Sequence, residues 1–367
     1  STKSGVDWYT HHIIKEMIGL VGPEERLYLF SNRETGFEEE AAANDKVTLV
    51  RSRVRYQEPW RQLFLPLLLK RHRIDVCFFT NFVISVLSAC PMVLTIHDFS
   101  FKLFPRTHSL RNVIWARSLV PVSVKRCRRI IAVSNHTKLD LLRLMNVNQD
   151  KVAVIYEGAA AQFVPEPEAG DADVLAGYDI RQPYVLYVGT LEPRKNLITL
   201  VKSFNEVAEK VEDVQLVLAG RRGWMAQSIF DEIKERNLLP RVRITGYVPD
   251  GHLASLYRQA AAFVYPSLYE GFGLPPLEAM ASGTPVIVSQ SSSLPEVIGD
   301  AGLYINPLDA GELAAAMEKV LSDGDLSAAL VAKGLEQAGR FSWRRAAGET
   351  MEILRETARA GETARAG

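Results

Sequence analysis

The 367-residue chain reads as an α/β protein of two doubly wound domains facing each other across a cleft. Three observations predict this. From residue 184 onward, short apolar runs without polar alternation recur between helical stretches, the pattern of a parallel sheet covered on both faces. A less regular copy of the same plan fills the first half. Between the copies, Gln162 to Gln182 is rich in Pro, Gly, Ala and acids and reads as a linker.

In the first copy, strands are expected near Leu27 to Ser31, Val47 to Arg51, Asp75 to Phe79, Met92 to Ile96, Ile130 to Ser134 and Val152 to Tyr156. The second copy opens with YVLYVG as a strand, followed by a helix from Asn196 that carries Leu197, Leu200, Val201, Phe204, Ala208 and Val211 on one face. VQLVLAG (strand), a helix from about Met225, RVRITGYV (strand) and a helix over 250–260 continue it. AFVYPS, the helix containing Glu278, PVIVS, GLYI and a helix from Asp309 complete the alternation. The domains are thus 1–165 and 183–340, with 166–182 between them. ETARAG is written twice in succession at the end, and 357–367 is read as a low-complexity tail to which no fold is assigned. The chain opens on a loop running into a helix where such a domain usually starts with a strand, so upstream residues are expected to be missing.

A hydrophobic fraction of 47% supplies core for two domains and excludes a disordered chain. Cys77, Cys90 and Cys127 form no CxxC pair and leave one thiol over in any disulfide scheme, which favours a reducing, cytoplasmic setting. The zero net charge hides an asymmetry. Residues 1–165 carry 23 Lys and Arg against 15 Asp and Glu, and the remainder 20 against 28. Arg51, Arg53, Arg55, Arg61, Lys70, Arg71 and Arg73, with Arg126, Arg128 and Arg129, suit peripheral contact with an anionic membrane or a phosphorylated acceptor. They equally suit a solvated face opposite an acidic partner domain. Nucleic acid is not expected, because no aromatic-and-basic motif accompanies them. Val76 to Ile96 lacks charge for 21 residues, but Pro91, Asn81 and its hydroxyl residues divide it into two strands rather than a membrane span.

The chemistry concentrates in Ser267 to Gly283, SLYEGFGLPPLEAMASG. Pro275 and Pro276 suit the start of a helix, Gly283 its end, and Glu278 is placed in the first turn. Gly271 and Gly273 allow free amides to converge on an anion, and two carboxylates beside an anion suit sugar or ribose hydroxyls. Gly189 to Asn196, GTLEPRKN, places Arg194 and Lys195 between a strand and a helix, where a diphosphate would meet a point charge and a fork. His97 and Asp98 end the strand MVLTIHD, at the sheet edge where ligands bind, although capped or buried histidines are common there. Ser134 reads as a helix cap whose hydroxyl also suits a phosphate or acceptor. Asp171 with Asp173, and Asp323 with Asp325, are read as solvated acids, so no metal site is expected. GxxxxGK, GxGxxG, HExxH and GxSxG are absent from the sequence.

These residues resemble the retaining nucleotide-sugar glycosyltransferases of the GT-B fold with two Rossmann-like domains. Within that fold they look like the large group with the Glu, seven residues, Glu motif, nearest to bacterial mannosyltransferases that build O-antigen and exopolysaccharide. The resemblance runs through SGVDWYTHHIIKEM, TIHDFSFKLFP, IIAVSNHTKLDL, YVGTLEPRKNL, ITGYVPD, the Ser267 block continuing to NPLD, and FSWRRAA. It implies that Glu270 holds donor-sugar hydroxyls, that Gly271 lies at the donor, that amides of Phe272, Gly273 and Leu274 meet sugar or phosphate, and that Glu278 binds the ribose. It further implies that Lys195 and Arg194 stabilise the diphosphate, that Gly5 faces the phosphates, and that Tyr247 and Val248 border the base. His97 would sit near sugar and acceptor, with Asp98 and Ser134 on the acceptor side. Thr190 stands where many relatives carry Arg. The FSW segment and following helix, about 341–356, would return to the first domain.

The implied reaction moves a hexosyl group, mannose from GDP-mannose first and a UDP-sugar second, onto a hydroxyl of a saccharide or lipid-linked saccharide, with retention and without metal or cofactor. A glycoside hydrolase also uses two carboxylates, but it needs both flanking one bond. A non-catalytic sugar-nucleotide-binding subunit is the alternative of another class.

Overall fold

The computed structural model describes residues 5–54 and 56–366. Arg55 of the basic stretch, Ser4 of the first resembling segment and Gly367 of the tail lie outside the described residues. Within them, twelve strands form three wholly parallel sheets. In the first domain β1 (Leu27–Ser31) pairs with β2 (Val47–Arg51). A second sheet runs in the order β3 (Cys77–Phe79), β4 (Met92–Ile96), β5 (Arg129–Ala132), β6 (Val152–Val154). The six expected strands are present, in two sheets rather than one. β5 ends before Ser134 because that residue turns to cap the next helix. The uncharged run from Val76 divides into β3 and β4, and no helix among the described residues is long and apolar enough to cross a membrane.

The second domain carries β7 (Tyr184–Val188), β8 (Gln215–Ala219), β9 (Val242–Gly246), β10 (Ala262–Tyr265), β11 (Val286–Ser289) and β12 (Gly302–Ile305). Their spatial order is β12-β11-β10-β7-β8-β9. The chain winds outward from β7 in one direction through β8 and β9, then in the other through β10, β11 and β12. The order therefore reverses between β7 and β10, which opens a crevice beyond their carboxyl ends. Val185, Leu186, Leu218, Phe263, Val264 and Ile287 are fully buried in this sheet, and each such side chain contributes about 1.5–3 kcal/mol.

Eight helices position the site. They are α1 (Gly5–Ile18), α2 (Asn135–Met145), α3 (Asp171–Gly177), α4 (Leu197–Lys210), α5 (Asp250–Arg258), α6 (Leu274–Ala281), α7 (Leu294–Ile298) and α8 (Trp343–Ala366). α4 buries Leu197, Leu200, Val201, Phe204 and Val207. It starts one residue after Asn196, which adopts a left-handed conformation at φ 59°.

The linker contains α3, and this corrects the reading of Asp171 as solvated, while Asp173 is exposed as expected. Asp171 is buried and takes a two-pronged bond from Arg258, Nη2 to Oδ1 at 2.8 Å and Nε to Oδ2 at 3.0 Å. That bond holds the carboxyl well below its usual range. The first aspartate of the other pair, Asp323, caps the helix Gly324–Ala338.

α8 lies against α1 of the first domain. Trp343 stacks on His12 at 5.2 Å, and Arg355 Nε meets Glu25 Oε1 at 2.6 Å. The helix does not stop near residue 356: it runs to Ala366, so the tail continues it. Ala, Glu and Arg favour helix, and no proline interrupts the repeat.

Candidate functional site

Two loops meet at the crevice because β7 and β10 are neighbours. Gly189 to Asn196 leaves β7, and Ser267 to Gly273 follows β10. Lys195 and Glu270, 75 positions apart, are joined there by a bond of 2.6 Å from Nζ to Oε1. Lys195 also donates to the Tyr265 hydroxyl at 2.8 Å. Arg194 donates through Nη1 to Glu270 Oε2 at 3.1 Å and to the Tyr269 carbonyl at 2.6 Å, while its Nη2 meets Glu192 at 2.9 Å. Ser267 Oγ donates to Glu270 Oε1 at 2.5 Å. Both basic residues lie in a short 3-10 turn, Pro193–Lys195, ahead of α4 rather than within its start.

The electrostatics of this cluster are asymmetric. Burial works to raise the pKa of Glu270, but Lys195 and Arg194 outweigh it and bring the carboxyl to about 2. The Lys195 ammonium is pushed down by burial and by Arg194 more than Glu270 lifts it. A carboxylate facing two cations is stabilised as a charge, whereas each cation has a like charge beside it. The result is a fixed, buried carboxylate with two donors for oxygen at its side.

The backbone around Glu270 is laced by a run of serines. Ser292 Oγ accepts from the Glu270 amide at 2.8 Å, and Ser293 Oγ donates to the carbonyl of Phe272 at 2.7 Å. Gly273 stands at φ 118°, which a side chain would strain, and it leads into α6. α6 begins at Leu274, so Pro275 and Pro276 occupy its second and third positions and Glu278 its fifth. Glu278 is therefore just past the first turn, where the expectation placed it within that turn. Its Oε2 accepts from Tyr257 of α5 at 2.9 Å, and burial pushes its pKa up to about 7. α5 follows the GYVPD turn, in which Tyr247 is exposed and Val248 buried. Thr190 stands near the start of the loop after β7, its carbonyl accepting from the Tyr187 hydroxyl at 3.2 Å.

The first domain closes on this loop. Gly271 sits so near His97 that a Cβ there would lie 1.8 Å from the His97 carbonyl oxygen. Its own carbonyl accepts from Ser134 Oγ at 2.6 Å, and Thr137 Oγ1 donates to the His97 carbonyl at 3.0 Å. Ser134 is thus wholly buried, capping α2 and bridging the domains through its hydroxyl. Asp98 accepts from the amide and hydroxyl of Ser100 at 2.8 and 2.7 Å, a local turn. Gly5 opens α1 and is exposed.

The His97 ring has both nitrogens engaged: Nε2 meets the Thr80 carbonyl at 2.9 Å and Nδ1 faces Glu157 Oε1 at 3.5 Å. Two further residues tie the domains. The Tyr269 hydroxyl donates to Asp140 Oδ2 at 2.7 Å and accepts from the Phe99 amide at 3.1 Å. Glu296 of α7 accepts from the Asn135 and His136 amides at the start of α2 at 2.7 and 3.2 Å, and from the Tyr156 hydroxyl at 2.6 Å. Sequence reasoning missed Glu157, Tyr257, Tyr265, Tyr269, Asp140 and Glu296. Glu157 alone carried a signal, lying just after a strand at a carboxyl edge. Among the described residues, no cluster of three or more His, Cys, Asp or Glu is placed to hold a metal ion.

Residues 177–337 match the family described as Glycosyl transferases group 1, and residues 4–162 that described as Glycosyltransferase Family 4. O-antigen chain mannosyltransferase B of Escherichia coli is 36% identical over 265 residues, 72% of this chain and 70% of that protein. O-antigen chain mannosyltransferase RfbU of Salmonella typhimurium is 33% identical over 217 residues, 59% of this chain and 57% of that one. Anabaena HepE, solved in complex with UDP-glucose, superposes with a TM-score of 0.77 at 17% identity and covers 97% of each chain. A glycosyltransferase from Rickettsia africae gives 0.76 at 18%, covering 96% of this chain and 95% of its own. At those identities the two structures speak for the fold, while the sequence relatives carry the family. This chain belongs to the group 1 glycosyltransferases, on the two-domain GT-B fold.

Proposed function

We propose that this enzyme transfers a mannosyl group from GDP-mannose to a hydroxyl of a saccharide or lipid-linked saccharide in polysaccharide assembly, at the cytoplasmic side of the membrane. The observation that carries this reading is the buried Glu270 carboxylate held by Lys195 and Arg194 at the reversal of strand order. The mannosyltransferases among its relatives support the sugar. In this reading Glu270 orients donor-sugar hydroxyls and Glu278 the ribose. Lys195 and Arg194 face the diphosphate, where charge grows as the sugar–phosphate bond breaks. The acceptor oxygen bonds to the anomeric carbon on the face the diphosphate leaves, so configuration is retained. Its proton passes to the departing phosphate, and no metal is needed for that transfer.

A UDP-sugar is the second reading, favoured by the neighbour solved with UDP-glucose. Thermal melts with GDP, UDP, ADP and their sugars separate the two, because a ligand at a hundred times its Kd stabilises the folded state by about 2.7 kcal/mol. A shift with UDP-sugars alone overturns the GDP-mannose assignment, and product anomers read by NMR test retention. Turnover unchanged by EDTA tests the metal statement. Membrane contact is proposed for the face where Leu63, Phe64 and Leu67 are exposed beside Lys70 and Arg71. Co-sedimentation with anionic vesicles but not neutral ones is the expected result.

A further inference from the structure

We infer that Glu157 is the positioning residue for His97: its buried carboxyl holds the ring through a proton shared with Nδ1, and so keeps the Nε2 hydrogen, which the Thr80 carbonyl accepts, aimed in one direction. This rests on the reading of His97 given above. Glu157 follows β6, two strands away from β4, yet its carboxyl reaches back across the end of β5 to face the imidazole at 3.5 Å. It is 4% exposed, and His97 is its one ion-pair partner among the described residues. A carboxyl taken out of water without a partner is costly, so its placement there has to be compensated. Burial raises its pKa and His97 opposes that rise.

The other contacts of the ring are equally specific. Nε2 lies 2.9 Å from the Thr80 carbonyl, which only accepts, so Nε2 bears a hydrogen. Nδ1 and Glu157 then share the remaining proton position. A ring nitrogen's state is set by the bond its partner nitrogen makes. Tyr9 of α1 packs edge-on against the ring at 4.7 Å, and Phe82 does so at 5.7 Å. Gly158, the next residue, lies so close to the start of α8 that a Cβ would be 2.3 Å from the Trp343 amide nitrogen. Trp343 in turn meets Tyr9 at 5.8 Å. The returning helix therefore braces the Glu157 backbone, and through it the ring of a residue whose own backbone carbonyl stands against Gly271 of the donor loop. The Nε2 hydrogen points at the Thr80 carbonyl. A sugar hydroxyl is the partner it would take instead.

The test uses the full-length enzyme with nitrogen-15 histidine, the His97 signals being assigned with H97A. Glu157→Gln keeps shape and offers an amide hydrogen to Nδ1, whereas Glu157→Ala removes the partner. Expected are a displaced His97 Nδ1 resonance and a kcat loss of about 100-fold in the alanine variant, the scale of a misplacement near 1 Å. Donor KM should change less than threefold, and glutamine should restore at least a tenth of wild-type kcat. Loss in the double variant H97A/E157A should equal that of H97A alone. An unmoved Nδ1 resonance in a folded E157A protein, or additive losses in the double variant, overturns the inference. Full activity of H97A would instead overturn the role of His97 itself, which the resonance does not depend on.

Discussion

Replacing Glu270 by Gln preserves the side chain's shape and removes the charge that Lys195 and Arg194 share. The carboxyl stands at about 2 against an ordinary 4.5, a difference worth about 3 kcal/mol of folding stability. That agrees with the roughly 3–5 kcal/mol measured when one partner of a buried ion pair is removed. The stabilisation resides on the carboxylate, because Lys195 is itself destabilised as a cation by burial and by Arg194. A folded pKa below the unfolded one contributes fully above about pH 4.5 and drains away as pH falls towards about 2. Urea titrations of wild type and E270Q should therefore differ by about 3 kcal/mol at pH 7, and by less than half of that at pH 3. On the proposed reading of Glu270 as the orienting charge, mannosyl transfer should fall at least about 100-fold. A stability difference under about 1 kcal/mol at pH 7, or one that persists unchanged at pH 3, would refute the reasoning.

Three further outcomes are expected. Gly271→Ala places a Cβ 1.8 Å from the His97 carbonyl, so the domains must part: small-angle scattering should show a larger radius of gyration and transfer should be abolished. Glu296→Ala removes the acceptor of two α2 amides supplied by the other domain; it should cost about 1 kcal/mol, the scale of a helix cap, and raise donor KM without unfolding either domain. For Glu278, whose pKa stands near 7 through burial, the charged form that accepts from ribose in the proposed reading grows in as pH rises through that value. Donor affinity by calorimetry should strengthen between pH 6 and 8, and Tyr257→Phe, which deletes a bond that lowers the pKa, should move that rise to higher pH.

Much of the site was legible because it is local. SLYEGFGLPPLE and GTLEPRKN each run from just past a strand end, by way of glycine, to a helix start within a dozen residues, and backbone geometry makes such runs readable. Glu270, Lys195 and Arg194 do meet, as their placement at two strand ends suggested. Ser134 was legible as a cap but not as a bridge between the domains, because nothing in its neighbours announces that a carbonyl 137 residues away will take its hydroxyl. Asp171 looked like an acid in a loose linker, and only Arg258 from another helix makes it buried structure. The tail looked unstructured by its repetition, yet it continues a helix already held against α1.

The sequence by itself determined the alternation of strands and helices, the two-domain division and the chemical character of the donor loops, since these follow from hydrophobic period, turn residues and charge over short spans. Only the tertiary structure decided that β10 lies beside β7, that Gly271 touches His97, that Glu296 caps a helix of the opposite domain, and that Glu157 reaches the imidazole. Strand order and domain closure depend on the packing of whole faces against one another. No single stretch of chain carries that energy, so no single stretch reveals it.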